Sequence, residues 1–355
     1  MTAIPADVRL RDVVTHARLV NASDVHLQPG CVPTLRVDGS LVGLDRALVT
    51  AAEMQSLVEA RLSPAQHAAL ERAGDLSLPW TDEELGATRA HLYRAAGGYV
   101  VALRLLERDI PGLESLELPE AVERLATLDR GLVIVGGATG SGKSTTVAAL
   151  VDRINASRAC RIVTVEDPIE YRYRNRRSVI SQREVGRDTP HFAGALRGAL
   201  RADPDVIVVG EMRDADAMRV ALTAAETGHL VVTTLHTGDA PQTIDRVVDA
   251  FSGPAAVQVR AQLAAVLAAV VCQVLVKRNG RDGRRAAAEI LIGTDAVRNL
   301  IRDAKTHQLR NAIATGARFG MQTLGQHLEQ LERDGSIDAV DRTRIPTLPA
   351  ESTAA

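Results

Sequence analysis

The stretch Gly137-Ala138-Thr139-Gly140-Ser141-Gly142-Lys143-Ser144 decides the fold of this chain, because it matches G-x-x-x-x-G-K-[ST] at every position. The apolar run 131–136 before it predicts a strand, and the run from Thr145 to Val151 after it predicts a helix. An ordinary loop between a strand and a helix is the alternative. One of only three lysines in the chain stands at the motif position, however. The stretch therefore predicts a site for the phosphates of a nucleotide.

Each part of this motif has an expected role in binding ATP. Glycines let backbone N–H groups converge on an anion, and a helix N-terminus attracts negative charge. The motif itself, extended by Thr145, is the expected ATP-binding segment. Lys143 is expected to reach the β- and γ-phosphates, and the Ser144 hydroxyl to ligate Mg²⁺.

The composition limits the function classes that the chain can belong to. A length of 355 residues suggests two or three domains, and 46% hydrophobic residues are enough for packed cores. The net charge of −2 predicts no general affinity for nucleic acid. Three cysteines without a C-x-x-C pair predict a reduced, cytosolic protein without a zinc site. The longest apolar run, Leu263 to Cys272, is too short to span a bilayer and predicts a buried helix.

The pattern of apolar residues changes along the chain and predicts its domains. Residues 1–105 predict a small α+β domain, residues 106–119 a linker, residues 120–341 a larger domain, and residues 342–355 a flexible tail. Strands alternate with helices in the larger domain, which predicts a mostly parallel sheet. These strands are expected at 131–136, 161–165, 206–210 and 230–235, followed by a helical region at 255–272 and a hairpin from 274–276 to 287–291.

Acidic residues follow two of the predicted strands, at the sheet edge expected to carry the phosphate motif. Glu166 and Glu170 follow the second strand, and their spacing alone does not decide which one activates the attacking water. Glu211 follows the third strand and resembles the acidic second motif of phosphate-loop ATPases. Gly210 stands where an aspartate is usual there, so Glu211 is expected in the magnesium shell through a water.

His229 and His236 bracket the fourth strand of the larger domain. They could cap a buried strand, bind a metal as a pair, or report the presence of the γ-phosphate. A metal pair is disfavoured, because no cysteine or third histidine lies nearby to complete a shell. The other two alternatives stay open. The basic and aromatic segment 171–177 could bind single-stranded nucleic acid, but a solvated loop is favoured.

Taken together, these motifs resemble the PilT-type ATPases of the bacterial type IV pilus, within the type II/IV secretion ATPase superfamily. The resemblance runs from about Ala22 to Leu331, and the segment Ala296 to Asp303 resembles the C-terminal signature of the retraction branch. It implies a PAS-like first domain, a RecA-like ATPase domain and a ring of six subunits. The family pattern favours Glu170 over Glu166 as general base. Arg89 and Arg104 match the arginines that close onto the phosphates in this family.

The resemblance also implies a function. We expect a magnesium-dependent ATPase motor that disassembles pili and drives twitching, at the inner face of the cytoplasmic membrane. Its expected partners are five further copies of the chain and a membrane-embedded platform protein, without nucleic acid. A pilus-assembly or secretion ATPase is a second possibility, disfavoured because this chain has neither the longer N-terminus nor the four-cysteine motif of those relatives. A nucleotide-gated module with little turnover and a DNA translocase are two further alternatives.

Overall fold

The structure is a computed structural model that describes residues 6–82, 86–95, 98–105, 109–280 and 283–339. The chain divides into two compact units, Met1–Arg108 and Asp109–Ala355. The predicted tail at 342–355 and the predicted linker residues 106–108 lie outside the described residues. No helix in the described part of the chain is long and apolar enough to cross a membrane.

The first unit packs helices against a twisted antiparallel sheet. Its described strands follow the order β3-β2-β1-β6-β5-β4 in the sheet, and every neighbouring pair is antiparallel. Val25 and Leu27 of the first strand point into the core, whereas Asp24 and His26 lie on the opposite face. The elements are α1 (Ala6–Leu19), β1 (Asp24–Leu27), β2 (Thr34–Val37), β3 (Ser40–Gly43), α2 (Ala51–Arg61), α3 (Pro64–Ala73), β4 (Asp75–Asp82), β5 (Gly86–Ala95) and β6 (Gly98–Leu105).

The second unit contains a mostly parallel sheet with helices on both faces. The strands of its described part follow the order β13-β12-β7-β11-β10-β8-β9, and only the pair β12–β13 is antiparallel. These strands are β7 (Gly131–Gly136), β8 (Arg161–Glu166), β9 (Val179–Glu184), β10 (Val206–Val209), β11 (Leu230–Leu235), β12 (Leu267–Lys277) and β13 (Arg284–Ile292).

Two buried clusters, one on each face of this sheet, include alternate residues of the same strands, such as Leu132 and Val133 of β7. The helices of the unit are α4 (Glu120–Arg124), α5 (Lys143–Ser157), α6 (Phe192–Ala199), α7 (Ala215–Glu226), α8 (Ala240–Asp249), α9 (Pro254–Val266), α10 (Asp295–Arg302), α11 (Leu309–Thr315) and α12 (Leu324–Arg333).

The predicted helical region 255–272 is wrong in its last third, residues 267–272. The helix ends at Val266, and the chain then forms the long strand β12 between β7 and β13. A strand that is covered on both faces is apolar throughout, so its periodicity cannot be told from that of a buried helix. Residues 109–119 of the predicted linker belong to the second unit, where Leu113 and Leu118 are buried in its core.

Candidate active site

The carboxyl ends of four neighbouring strands bring the candidate residues to one edge of the second sheet. In the register of the sheet, Gly136 at the end of β7 lies beside Leu235 of β11, and Val209 of β10 lies beside Val165 of β8. Because these strands are parallel, the residues that follow them emerge on the same side. The phosphate motif, Glu166, Glu211 and His236 therefore gather at this edge.

The phosphate motif forms a loop that only glycine-rich sequence can adopt. Gly140 and Gly142 have φ values of 77° and 88°, in the left-handed region that favours glycine. A Cβ on Gly137 would lie 2.3 Å from Ser141 Oγ, so the loop is also too tight there for a side chain. The 15-residue helix α5 begins at Lys143, so its free N–H groups open towards this loop.

The side chains of the loop fit an anionic ligand. Lys143 is 8% exposed, and its ammonium donates to the carbonyl oxygens of Gly137 at 2.8 Å and Ala138 at 2.9 Å. Burial lowers the pKa of Lys143, while the charges of Glu211 and Glu170 oppose that shift. Among the described residues, the buried Ser141 hydroxyl has no hydrogen-bond partner. A buried cation and an unpaired hydroxyl at a helix N-terminus are suited to a phosphate group.

Glu166, the last residue of β8, and Glu170, which follows that strand, have different surroundings. One Glu166 carboxylate oxygen accepts hydrogen bonds from Thr164 Oγ1 at 2.6 Å and from Gln182 Nε2 at 3.1 Å. Burial raises the pKa of Glu166, and those hydrogen bonds counteract it. Within the described residues, the Glu170 carboxylate has no hydrogen bond or ion pair, yet its charge acts on Lys143. Glu170 is therefore the glutamate whose carboxylate is available to a ligand.

Glu211 lies between the side chains of Arg213 and His236. Its Oε2 accepts from Arg213 Nε at 2.8 Å, and its Oε1 lies 3.3 Å from His236 Nε2. Arg213 also pairs with Asp167 at 2.9 Å, which joins the segments after β8 and β10. The hydrogen bond from Arg213 and the charge of Glu211 raise the pKa of that guanidinium. Each carboxylate oxygen of Glu211 keeps a second lone pair that can accept a further donor, such as a metal-bound water.

The structure does not bring His229 to this edge, which favours the capping alternative over γ-phosphate sensing for this histidine. His229 precedes β11, whereas His236 follows it, so the six-residue strand separates them by about 20 Å. His229 Nδ1 instead lies 2.8 Å from Ala224 O and 3.1 Å from Thr227 Oγ1, in the turn after α7. Within this chain, His229 therefore occupies a capping position rather than a phosphate-facing one.

The two arginines carried over from the resemblance lie in the first unit. Arg89 of β5 and Arg104 of β6 face each other as a cross-strand pair, so their side chains share one face of the sheet. Arg104 Nε donates to Asp24 Oδ1 at 3.1 Å, and its side chain is 58% exposed. The pair therefore presents positive charge on the surface of the first unit.

Helix α10 contains the segment that resembles the retraction signature. Val297 and Ile301 are fully buried, as their helical spacing predicts. Arg298 is only half-exposed, and its Nη2 donates to Leu267 O at 3.4 Å. Arg302 and Asn299 are exposed and hydrogen-bonded to each other at 2.8 Å. Asn299 and Arg302 therefore contribute more than Arg298 to the exposed polar side of this helix.

Two residues at the site were missed by sequence reasoning. The Tyr171 hydroxyl lies 2.8 Å from Thr145 Oγ1, at the first turn of α5. Gln273 of β12 is 2% exposed and hydrogen-bonds the phosphate loop. A polar residue inside a long apolar run is the signal that could have marked Gln273, because buried amides need partners.

The sequence profile of the family described as Type II/IV secretion system protein matches residues 4–333. The chain belongs to this family. The family assignment and the mixed α/β architecture expected from the sequence are thereby confirmed.

Known members of the type II/IV secretion family resemble the chain over nearly its whole length. The Type IV pilus retractation ATPase PilT of Pseudomonas aeruginosa is 42% identical, over 92% of this chain and 95% of that protein. A Twitching motility protein of Neisseria gonorrhoeae is 40% identical, over 86% of this chain and 82% of that protein. The crystal structure of the pilus retraction motor PilT with bound ADP superimposes with a TM-score of 0.85 at 40% identity, covering 96% of this chain and 97% of that one.

Proposed function

We propose that this chain is an ATP-hydrolysing motor subunit that powers retraction of a type IV pilus. The observation that carries the proposal is the phosphate loop, in which a buried lysine and a helix N-terminus meet Glu170 and Glu211. The similarity to a retraction ATPase and to a twitching motility protein over most of the chain supports pilus retraction as the function of the motor.

Within this proposal, the phosphate loop binds and orients the nucleotide. Lys143 exchanges its two carbonyl partners for phosphate oxygens, and the N–H groups at the start of α5 bind further oxygens. Ser144 and, through a water, Glu211 would hold Mg²⁺, which screens the charge that develops on the transferred phosphoryl group. Charge stabilisation by the lysine contributes to the rate as well as to binding.

Glu170 orients the attacking water and accepts its proton, while Glu166 supports the strand end through Thr164 and Gln182. His236 contacts Glu211 and is therefore the histidine suited to report what occupies the site. His229 has no part in this step within a single chain, because it lies at the opposite end of β11.

The motor works as a homo-hexamer in this proposal, with Arg89 and Arg104 acting across a domain or subunit boundary. Their cross-strand pairing and the exposure of Arg104 suit a contact outside their own unit. An arginine supplied in trans is worth about 10³–10⁵ in rate, so activity per subunit should rise steeply with protein concentration. A dilute monomer that keeps full activity, as measured together with light scattering, would remove this part of the proposal.

The polar side of α10, centred on Arg302 and Asn299, would transmit motion to a membrane-embedded platform protein at the pilus base. The motor is then cytoplasmic and works at the inner face of the cytoplasmic membrane.

The test of the proposal compares two lysine variants. Lys143→Ala should abolish magnesium-dependent ATP hydrolysis, because the cation at the phosphates is lost. The matched control is Lys277→Ala, which removes an exposed lysine at the end of β12 and should hydrolyse ATP at the wild-type rate. Equal rates in all three proteins would overturn the assignment.

The direction of work is tested by deleting the gene and counting surface pili. An excess of pili supports retraction, and a loss of pili supports the pilus-assembly alternative. A purified protein that binds ATP without turnover would instead be a nucleotide-gated module.

A further inference from the structure

Gln273 is a buried amide beside the phosphate loop, and its place in the fold puts it level with the start of that loop. Cys272 pairs with Gly136, the last residue of β7, so Gln273 lies beside Gly137. Burying an amide among apolar neighbours is costly unless its polar atoms are bonded. Both are: Nε2 donates to Ser141 O at 2.7 Å, and Oε1 accepts from Thr146 Oγ1 at 2.9 Å.

These two hydrogen bonds connect the loop to the first turn of α5. Thr146 N–H donates to Gly142 O at 3.0 Å, so Gln273 holds the peptide before Gly142 and the helical turn after it. Because Oε1 and Nε2 have different partners, a donor and an acceptor respectively, the amide can satisfy both in one orientation only.

The planarity of the peptide bond makes the first contact directional. In a trans peptide, the C=O of one residue and the N–H of the next point in opposite directions. Gln273 holds the carbonyl of Ser141 on its own side of the loop. The N–H of Gly142 is therefore directed away from Gln273, towards the side on which a phosphate-loop motif binds the phosphates.

Two glycines of the motif, Gly137 and Gly142, leave space for Gln273. A Cβ on Gly142 would lie 2.9 Å from Gln273 Nε2, and a Cβ on Gly137 would lie 2.6 Å from Gln273 O. Gln273 thus approaches both ends of the loop closely, and a side chain at either glycine would displace it.

We propose that Gln273 is a positioning residue that fixes the Ser141–Gly142 peptide with its N–H directed at the phosphates of the bound nucleotide. This inference rests on the proposed function. The hydrogen bond from the Gly142 N–H to the phosphates would be equally strong in the ground state and in the transition state, because those phosphates stay bound throughout. Removing it should therefore raise KM and leave kcat largely unchanged.

The experiment compares Gln273→Met with a matched control, Gln322→Met. Gln322 Nε2 also donates to a main-chain carbonyl of the sheet, Ala288 O at 3.0 Å, but the hydrogen bonds of Gln322 go to β13 and not to the phosphate loop. Binding of ADP with Mg²⁺ is measured by titration calorimetry, and KM and kcat by a steady-state assay. For Gln273→Met, the dissociation constant for ADP and the KM for ATP should rise about tenfold. Both should stay at wild-type values in Gln322→Met.

A second variant, Gln273→Glu, keeps the size of the side chain and the hydrogen bond from Thr146. It loses the donor to Ser141 and places a second acceptor beside that carbonyl, so ADP binding should weaken by more than in Gln273→Met.

The outcomes separate the two proposals. ADP affinity and KM that match the control in both Gln273 variants, or a fall in kcat at constant KM, would overturn the positioning role alone. A wild-type protein that gives no heat with ADP would overturn the proposed function and this inference together.

Discussion

Replacing Gly210 with alanine tests how tightly the strand ends around the active site are packed. A Cβ at this position would lie 3.1 Å from Glu166 Cα and 3.3 Å from Val165 O. Both are main-chain atoms of the neighbouring strand, to which Gly210 N–H donates at 2.8 Å. They cannot rotate away as the end of a flexible side chain would, so β8 and β10 must move apart by a few tenths of an ångström.

The size of the effect follows from this crowding. Adding a methyl group to a well-packed region costs about 1–3 kcal/mol, and crowding against main-chain atoms on one side favours a value of about 2 kcal/mol. At about 2–4 °C per kcal/mol, the melting temperature of Gly210→Ala should fall by about 4–8 °C. Gly210→Asp, which restores the usual aspartate, should cost more, because it adds a carboxylate beside Glu166. It should not speed hydrolysis.

The assay is differential scanning calorimetry, with Gly194→Ala as the control. Gly194 lies inside α6, and a Cβ there would meet no heavy atom within 4 Å. Its replacement should stabilise the protein by up to about 1 kcal/mol through helix propensity. If Gly210→Ala melts at the wild-type temperature while Gly194→Ala is stabilised, the close approach of β8 and β10 at this point is refuted.

Three further changes test separate parts of the protein. Glu170→Gln should lower the rate of ATP hydrolysis by about 10²–10⁴-fold while ADP still binds, as measured by a steady-state assay. If only Glu166→Gln shows that loss, Glu166 and not Glu170 is the general base. Arg302→Ala should keep folding, assembly and hydrolysis but abolish twitching, since its side chain is exposed on α10; a twitching assay with normal zones would remove it from the transmitting surface. Burial lowers the pKa of His327 from 6.5 to about 4, so the unfolded chain takes up the extra proton and stability is lost as pH falls through that window. Urea titrations at about pH 7 and about pH 5 should show that this histidine lowers the free energy of unfolding by up to about 1.4 kcal/mol for each pH unit of acidification. A His327→Gln protein that loses as much stability over the same range would contradict this role of His327.

Much of the active site is predictable from sequence because its signals are local. The phosphate loop needs glycines at fixed positions between a strand and a helix, and those requirements are met within neighbouring residues. Glu166, Glu211 and His236 each follow an apolar run directly. Once the strands are taken as parallel, their carboxyl ends must meet at one edge.

Strand direction separates the two histidines, whereas the two glutamates differ only through their surroundings in the fold. His229 and His236 bracket the same run, and because the strand is parallel to β7 only His236, at its carboxyl end, lies at the phosphate edge. Glu166 and Glu170 are equivalent by spacing. Glu166 differs through its hydrogen bonds from Thr164 and from Gln182, and Gln182 is brought beside it by the pairing of β8 with β9.

The sequence by itself determines the phosphate loop, the alternation of strands and helices and, through its resemblance, the family. Only the tertiary structure decides that residues 267–272 form a strand rather than a helix, because that choice depends on the neighbours β7 and β13. It alone shows what Gln273 does, since its partner Ser141 lies 132 residues away along the chain. A local sequence pattern reflects the backbone conformation that its own segment must adopt. The hydrogen-bond partners of a buried amide are instead set by the distant residues that the fold places beside it.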